Sequence, residues 1–495
     1  MENVYYRSTR SESTPITASQ AILKGLADDG GLFVPTKLPK LDRTLNELSL
    51  MDYRGVAYEV MKLFLTDYTE EELKACIAAA YDGKFDTPDI APIHEADGRY
   101  YLELFHGATI AFKDMALSIL PHLMITAAKK NHENKEIVIL TATSGDTGKA
   151  ALAGFAGVAG TKIIVFYPKD GVSSIQERQM VTQKGDNTCV IGIRGNFDDA
   201  QSGVKKIFTD QAVKQRLARN GYQFSSANSI NIGRLVPQIV YYVWAYTRLL
   251  KDGKLAEGDE INFVVPTGNF GNILAGYYAK QIGVPVHRLV CASNENRVLY
   301  DFFQSGEYNR NRPFILTSSP SMDILISSNL ERLIYHIAGD DAGADAEYMK
   351  NLAERGDYQI TDAMRRRLTD FAGGFATMDE TAAEILRLYE KDGYVIDPHT
   401  AVASCVYGKY AEESGDRTKT VIVSTASPFK FETSVLKALH RYEAKDDLLL
   451  ADDLSALSGV KIPQAVESLK GAEIRHKTVC DRNGMLAEVE KFLGI

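Results

Sequence analysis

From about residue 100 onward, short β-branched runs alternate with stretches of helical periodicity, and this alternation restricts the fold more than any other feature of the chain. Strands that alternate with helices build a mostly parallel sheet with helices packed on its faces. The predicted strands are Glu136 to Thr141, Lys162 to Tyr167, Thr188 to Ile193, Ile261 to Val265, Arg288 to Ala292 and Thr420 to Ser424. Between them the predicted helices are Asp114 to Lys130, Thr147 to Ala159, Ser174 to Lys184, Phe197 to Leu217, Ile232 to Leu250 and Asn272 to Ile282. The expected class is therefore α/β. The first three strands should form a smaller α/β lobe and the later ones a larger lobe, with a crevice where strand carboxyl ends and helix amino ends converge.

Up to about residue 95 the pattern is helical instead, with apolar periodicity in Ala21 to Ala27, Met51 to Leu65 and Glu71 to Tyr81. A chain of 495 residues exceeds one ordinary core. The expected division is a helical amino-terminal domain over 1–95, an α/β region over 96–440 and a helical carboxy-terminal extension over 441–495. Within the middle region, a small lobe at about 113–220 is inserted in the large one. The extension is expected to be helical from Asp453 to the last residue.

The net charge of −9 speaks against a nucleic-acid partner, and no run of about eighteen apolar residues suggests a membrane span. The five cysteines, at 76, 189, 291, 405 and 480, are scattered, and the nine histidines contain no His-x-x-x-His pair. Neither a disulfide framework nor a metal site is expected. Residues 1–7 lack an apolar stretch with a cleavage site, so cytoplasmic residence is the expectation.

Four stretches could carry chemistry. Gly268-Asn-Phe-Gly-Asn272 follows a predicted strand and opens a helix, where backbone N–H groups can cradle a phosphate; a tight turn with an Asn cap is the alternative. Thr143-Ser-Gly-Asp-Thr-Gly-Lys-Ala150 has the same placement, with hydroxyls and Lys149 beside the free N–H groups, and could grip a carboxylate or phosphate. It is not a nucleotide-triphosphate loop, because Thr143 stands where the first glycine would be and Ala150 replaces the magnesium-binding hydroxyl. Phe112-Lys113-Asp114 precedes a helix that Asp114 is placed to cap, and Lys113 by spacing alone reads as a solvated lysine. Asn228-Ser-Ile-Asn-Ile-Gly-Arg234 could surround an anion with donors or simply cap a helix. Gly154, Gly157 and Gly160 resemble part of a dinucleotide fingerprint, but their place at a helix end fits packing and helix termination better.

Taken in order, these stretches resemble the fold-type II family of pyridoxal-phosphate enzymes and, within it, the threonine synthases. The resemblance rests on His106-Gly-Ala-Thr-Ile-Ala-Phe-Lys-Asp-Met115, Ser144-Gly-Asp-Thr-Gly148, Asn228-Ser-Ile-Asn231 with Arg234, and Gly268-Asn-Phe-Gly-Asn272. It extends to Ser8-Thr-Arg10, Asp28 to Pro35, Pro320-Ser-Met-Asp-Ile324, Ser327 to Arg332, Asp397-Pro-His-Thr-Ala401 and Ser424-Thr-Ala426, so it covers most of the chain to about residue 440. General fold-type II dehydratases lack the amino-terminal domain.

The resemblance implies pyridoxal 5'-phosphate as cofactor, with Lys113 as the lysine that forms its Schiff base and serves as general base. It implies that Gly268, Asn269, Phe270, Gly271 and Asn272 hold the cofactor phosphate, and that the hydroxyl of Thr425 faces the pyridine nitrogen. Ser144, Asp146 and Thr147 would bind the substrate carboxylate, and Lys149, Asn228, Ser229 and Arg234 the substrate phosphate. Ser427-Pro-Phe429 departs from the His-Pro-Ala common in relatives, which puts in question only the wall beside Thr425. The implied activity is that of a carbon–oxygen lyase in threonine biosynthesis, converting O-phospho-L-homoserine and water to L-threonine and phosphate. The implied partner is this small molecule alone, bound by a monomer or homodimer. A phospholyase releasing 2-oxobutanoate shares every motif; a serine or threonine dehydratase and a non-catalytic binding protein with the same fold are more distant rivals.

Overall fold

The computed structural model describes residues 2–495 except Ser144, Asp170 and Ser173, and except the side chain of Ser174. In chain order its strands are β1 (Tyr6–Ser8), β2 (Phe33–Pro35), β3 (Ile93–Ala96), β4 (Arg99–Glu103), β5 (Glu136–Ala142), β6 (Thr161–Pro168), β7 (Thr188–Arg194) and β8 (Tyr222–Ser225). They continue with β9 (Ile261–Pro266), β10 (Val286–Ser293), β11 (Glu307–Asn309), β12 (Asp357–Gln359), β13 (Phe371–Phe375), β14 (Thr420–Ser424) and β15 (Val479–Asp481).

Two sheets carry the architecture. A five-stranded parallel sheet has the order β15-β7-β6-β5-β8. A six-stranded sheet has the order β13-β10-β9-β14-β4-β3 and is parallel except for the β3–β4 hairpin. The first three predicted strands are β5, β6 and β7 of the first sheet, and the later three are β9, β10 and β14 of the second, with nearly the predicted bounds. Helices cover both faces of such sheets, so their inner strands hold apolar side chains at consecutive positions. β5 shows this most simply, with Ile137, Val138, Ile139 and Leu140 all buried.

Four predicted helices differ in detail, one of them, Ser174–Val181, only by ending before the predicted Lys184. The helix predicted over 114–130 is two, Asp114–Leu117 and Leu120–Lys130, and Pro121 in the first turn of the second marks the restart. The one predicted over 197–217 divides at Asp210, whose carboxylate accepts from Ala212 N and Val213 N and so caps Gln211–Arg219. The last, Asp146–Phe155, stops short of Ala159. Gly154 allows that helix to press on the carbonyl of Leu117, which a Cβ would approach to 2.1 Å, and Gly157 and Gly160 turn the chain with positive φ.

The amino-terminal helices Ala18–Lys24, Tyr53–Phe64 and Glu70–Ala80 are present, and Thr17 and Thr69 close capping boxes with Gln20 and Glu72. They share one apolar core with the sheets. Its centre is the helix Ile232–Lys251, buried almost all round. Trp244 of that helix meets Tyr53 edge-on at 5.4 Å and donates Nε1–H to the carbonyl of Ala91 at 2.8 Å. Beyond residue 440 the chain is not helical throughout: besides the helices Asp447–Ser458, Gln464–Glu467 and Met485–Leu493, it supplies β15, which joins the five-stranded sheet beside β7. Among the described residues no helix is long and apolar enough to cross a membrane.

Candidate active site

The segments after the carboxyl ends of β5, β9 and β14 converge with the segment that carries Lys113. That segment is stitched to the chain following β14: Leu104 N donates to Ser424 O (2.9 Å), Phe112 N to Thr425 O (2.8 Å) and Ser427 N to Ile110 O (3.1 Å). Thr425, buried, is thereby fixed next to the residue preceding Lys113. Asp114 does not cap its helix as expected. Its carboxylate turns back and accepts from Thr109 N (2.7 Å) and Thr109 Oγ1 (2.6 Å), tightening the loop before Lys113. Gly107 is required there, since a Cβ would come within 2.6 Å of the Asp114 side chain.

Lys113 is not a solvated lysine. Only 12% of its side chain is exposed, and Nζ donates to Ser321 Oγ at 3.2 Å and lies 3.7 Å from Asp146 Oδ2. Burial lowers its pKa, opposed by Asp146 and assisted by the cations of Lys430 and Arg234. A lysine so placed gives up its proton more readily and becomes a better nucleophile.

The helix Asp146–Phe155 begins at Gly145, and the hydroxyl of Thr143 accepts from Gly145 N (2.9 Å) and Gly148 N (3.0 Å). Helix geometry leaves the N–H groups of Asp146 and Thr147 without a partner inside the helix, and so available as donors at its start. The Asp146 side chain is itself an anion engaged by cations. Oδ1 lies 3.2 Å from Lys430 Nζ and accepts from Gln176 Nε2 (3.0 Å), while Oδ2 accepts from Ser321 Oγ (3.1 Å). Burial works to raise its pKa, but the charges of Lys430 and Lys113 hold it well below the usual carboxylate range. Ser144 lies outside the described residues. Lys149 donates to Gln183 Oε1 at 2.8 Å, and burial followed by the charge of Lys430 lowers its pKa to about 8.

In the turn after β9, Phe270 is buried with a left-handed backbone (φ 65°) and starts the helix Gly271–Ile282 without a side-chain cap. The turn is braced from 327–329: Ser327 Oγ donates to Gly268 O (2.6 Å), and Asn329 donates to Asn269 O from N (3.0 Å) and Nδ2 (2.9 Å). Asn272 Oδ1 accepts from Tyr241 OH (2.5 Å) and Tyr242 OH (2.7 Å), which orients its amide nitrogen as a buried donor with no protein partner. Asn269 is exposed.

At the start of the helix Ile232–Lys251, Asn231 caps by accepting from Gly233 N at 2.9 Å. Arg234 in the same turn is buried, donates Nη1–H to Ala227 O (2.7 Å) and leaves Nε without a partner. Burial lowers its pKa to about 10, and among the described residues no carboxylate forms a salt bridge with it. Ser229 accepts from Asn329 Nδ2 at 3.4 Å, and Asn228 is exposed.

Four residues of the cluster had no role assigned from sequence: Gln176, Ser321, His399 and Lys430. The stretches around Ser321 and His399 were noticed as parts of the resemblance, but nothing local marks either side chain, because each acts on a segment distant in sequence.

A family model described as pyridoxal-phosphate dependent enzyme matches residues 88–426, flanked by matches to threonine synthase N terminus (5–81) and threonine synthase, C-terminal (400–492). Threonine synthase of Saccharomyces cerevisiae is 35% identical, covering 92% of this chain and 93% of its own length. A threonine synthase-like 1 of Macaca fascicularis is 37% identical over 96% of this chain, which spans 66% of that relative. The crystal structure of a PLP bound threonine synthase from Brucella melitensis superimposes with a TM-score of 0.87 at 35% identity, covering 99% of both chains. The residues fit the cofactor named there. A buried amine of lowered pKa suits an aldehyde, and the turn at 268–272 combines helix-start N–H groups with the unengaged Asn272 amide, a donor set for a phosphate. Motif, fold and cofactor fit agree, and the chain belongs to the threonine synthase family of pyridoxal-phosphate-dependent enzymes.

Proposed function

We propose that the protein converts O-phospho-L-homoserine and water to L-threonine and inorganic phosphate. The observation that carries this reading is the buried Lys113 amine, 3.7 Å from Asp146 at a helix start and within electrostatic reach of the buried Arg234, whose Nε has no partner. When bound, pyridoxal phosphate acidifies the carbons next to the substrate nitrogen by conjugation with its ring.

The chain's own residues do the rest. The Gly268–Asn272 turn holds the cofactor phosphate, and Thr425 offers the ring nitrogen a neutral hydroxyl. The N–H groups at Asp146 and Thr147, with Ser144, bind the substrate carboxylate. Arg234, Lys149, Asn228 and Ser229 receive the substrate phosphate, where the charge of the leaving group is stabilised by fixed cations. With its amine free, Lys113 would take protons from Cα and Cβ and deliver them to Cγ, from which phosphate leaves, and to Cα, while water supplies the hydroxyl at Cβ and its remaining proton goes to phosphate. The flexible stem lets one amine reach these carbons. A cytoplasmic setting and a monomeric or dimeric state complete the reading; free thiols at all five cysteines suit a reducing compartment.

The test is product analysis. Incubated with O-phospho-L-homoserine, the cofactor-loaded protein is expected to release threonine and phosphate in equal amounts, and Lys113→Ala to abolish turnover while remaining folded. Release of 2-oxobutanoate instead identifies a phospholyase, and full turnover by the alanine variant removes Lys113 from its role.

A further inference from the structure

Ser321 lies in a single 3-10 turn, Pro320–Met322, at the meeting point of three segments, and its N–H and hydroxyl are both hydrogen-bonded. Its N–H donates to His399 Nε2 at 3.2 Å. Its carbonyl oxygen packs on the 268–272 turn so closely that a Cβ on Gly268 would stand 2.4 Å away. Its hydroxyl lies between Lys113 Nζ at 3.2 Å and Asp146 Oδ2 at 3.1 Å.

The polarity of this chain of bonds follows from its ends. Asp146, flanked by two lysines, is a carboxylate and only accepts, so the Ser321 O–H points to it. The oxygen of Ser321 then has only lone pairs to offer Lys113, and the amine must donate to it. One N–H of Lys113 is thus directed at Ser321, and the remaining valences are turned away from it. At the other end, His399 Nε2 accepts an N–H and is unprotonated, so the ring proton is on Nδ1, 2.7 Å from Asp397 Oδ2. Asp397 is itself fixed by the N–H groups of His399 (2.9 Å) and Thr400 (3.0 Å) at the start of the helix Pro398–Ser414. Both residues of this pair are buried.

We propose that Ser321 is a second catalytic residue, whose hydroxyl orients the Lys113 amine for its proton transfers, and that Asp397 and His399 are positioning residues that hold Ser321 in place. The inference rests on the assignment of Lys113 as the base. In Ser321→Ala, the ammonium form of Lys113 loses an acceptor that it uses more strongly than the neutral amine does. Two measurements on the full chain test this. In steady-state assays, kcat of Ser321→Ala is expected to fall on the order of 10- to 100-fold with little change in KM. In competitive acetylation of the cofactor-free protein, followed by mass spectrometry of the peptide containing Lys113, the pH midpoint of labelling is expected to move down.

Ser321→Thr, which keeps the hydroxyl, restores both readouts. His399→Leu reproduces both losses but adds nothing in the Ser321→Ala background, and His399→Gln, which keeps an acceptor, recovers part of them. A labelling midpoint or a kcat that stays at the parent value in Ser321→Ala overturns the proposal, as does an additive effect of His399→Leu. The labelling readout needs no substrate, so it stands or falls separately from the product assay.

Discussion

Lys430 Nζ lies 3.2 Å from Asp146 Oδ1 and donates to the carbonyl of Thr109 at 2.9 Å, with none of its side chain exposed. This one cation joins the segment after β14, the loop before Lys113 and the helix that begins at Asp146. Removing one partner of a buried pair leaves the other charge uncompensated. Lys430→Met is expected to lower stability by about 3 kcal/mol, towards the low end for such changes because Asp146 keeps Lys113 nearby. Urea unfolding of the variant and the parent checks it; equal midpoints would show that the pair is not needed.

Arg234 presents the opposite case, a buried guanidinium that forms no salt bridge among the described residues. Without ligand such a charge is a burden. Arg234→Met should therefore leave the stability of the ligand-free protein unchanged or raise it, while weakening the binding of inorganic phosphate about 10- to 100-fold. Thermal shifts in a phosphate titration read both effects, and undiminished phosphate binding by the variant would remove Arg234 from the proposed site.

His106 stands between Asp86 Oδ1 at 2.6 Å from Nδ1 and Glu103 Oε2 at 2.9 Å from Nε2. Burial disfavours its charge, but hydrogen bonds to Asp86 and Glu103 prevail and lift its pKa to about 9. The unfolded chain releases this proton near ~6.5, so the stabilisation is complete below that pH and is lost as pH rises through about 9. Stability measured from about pH 6 to about pH 10 should decline across this window, and His106→Gln should flatten the decline by lowering the acid-side plateau. An unaltered slope in the variant assigns the decline to another group.

Asp345 is buried close to Glu331, which receives hydrogen bonds from Thr9 Oγ1 at 2.5 Å and from Arg10 Nε at 2.9 Å. Burial first, and the charge of Glu331 second, push the Asp345 carboxyl far above the ordinary range. The folded protein retains a proton that the unfolded chain loses near ~3.9, so this group reduces stability as pH rises above that value. Asp345→Asn should raise the melting temperature at pH ~8 and leave it nearly unchanged at pH ~4. Equal melting temperatures at the higher pH would show that Asp345 is accommodated as an anion.

The inner strands were legible in the sequence because two-sided burial leaves an uninterrupted apolar run, as in Ile137 to Leu140. β13 escaped notice because Phe371-Ala-Gly-Gly-Phe375 owes its pairing with β10 to a neighbour, not to the propensity of its own glycines. β15, only three residues long, has no period to detect. Helix ends failed where a single residue decided them, Pro121 in one case and the Asp210 carboxylate in the other.

Within the site, the positions of Lys113, the 268–272 turn and Arg234 were readable as motifs, since each motif occupies consecutive residues. The state of Lys113 was not. Its burial, and the ring of Asp146, Ser321 and Lys430 around it, come from segments up to several hundred residues away. The same long-range contacts make the Asp146 carboxylate the neighbour of two lysines, which its own motif does not show.

The pairing of β15 with β7 bears on how the protein is made. Arg194 and Asp481 meet at 3.2 Å although 287 residues separate them in the chain. At roughly 5–20 residues per second, a ribosome needs on the order of 15–60 s to cover that distance. For all of that time β7 is an uncovered margin of the five-stranded sheet, a template on which another nascent polypeptide could add a strand. The late β15 segment closes this margin, so the interval before its synthesis is when a chaperone would be of most use to this protein.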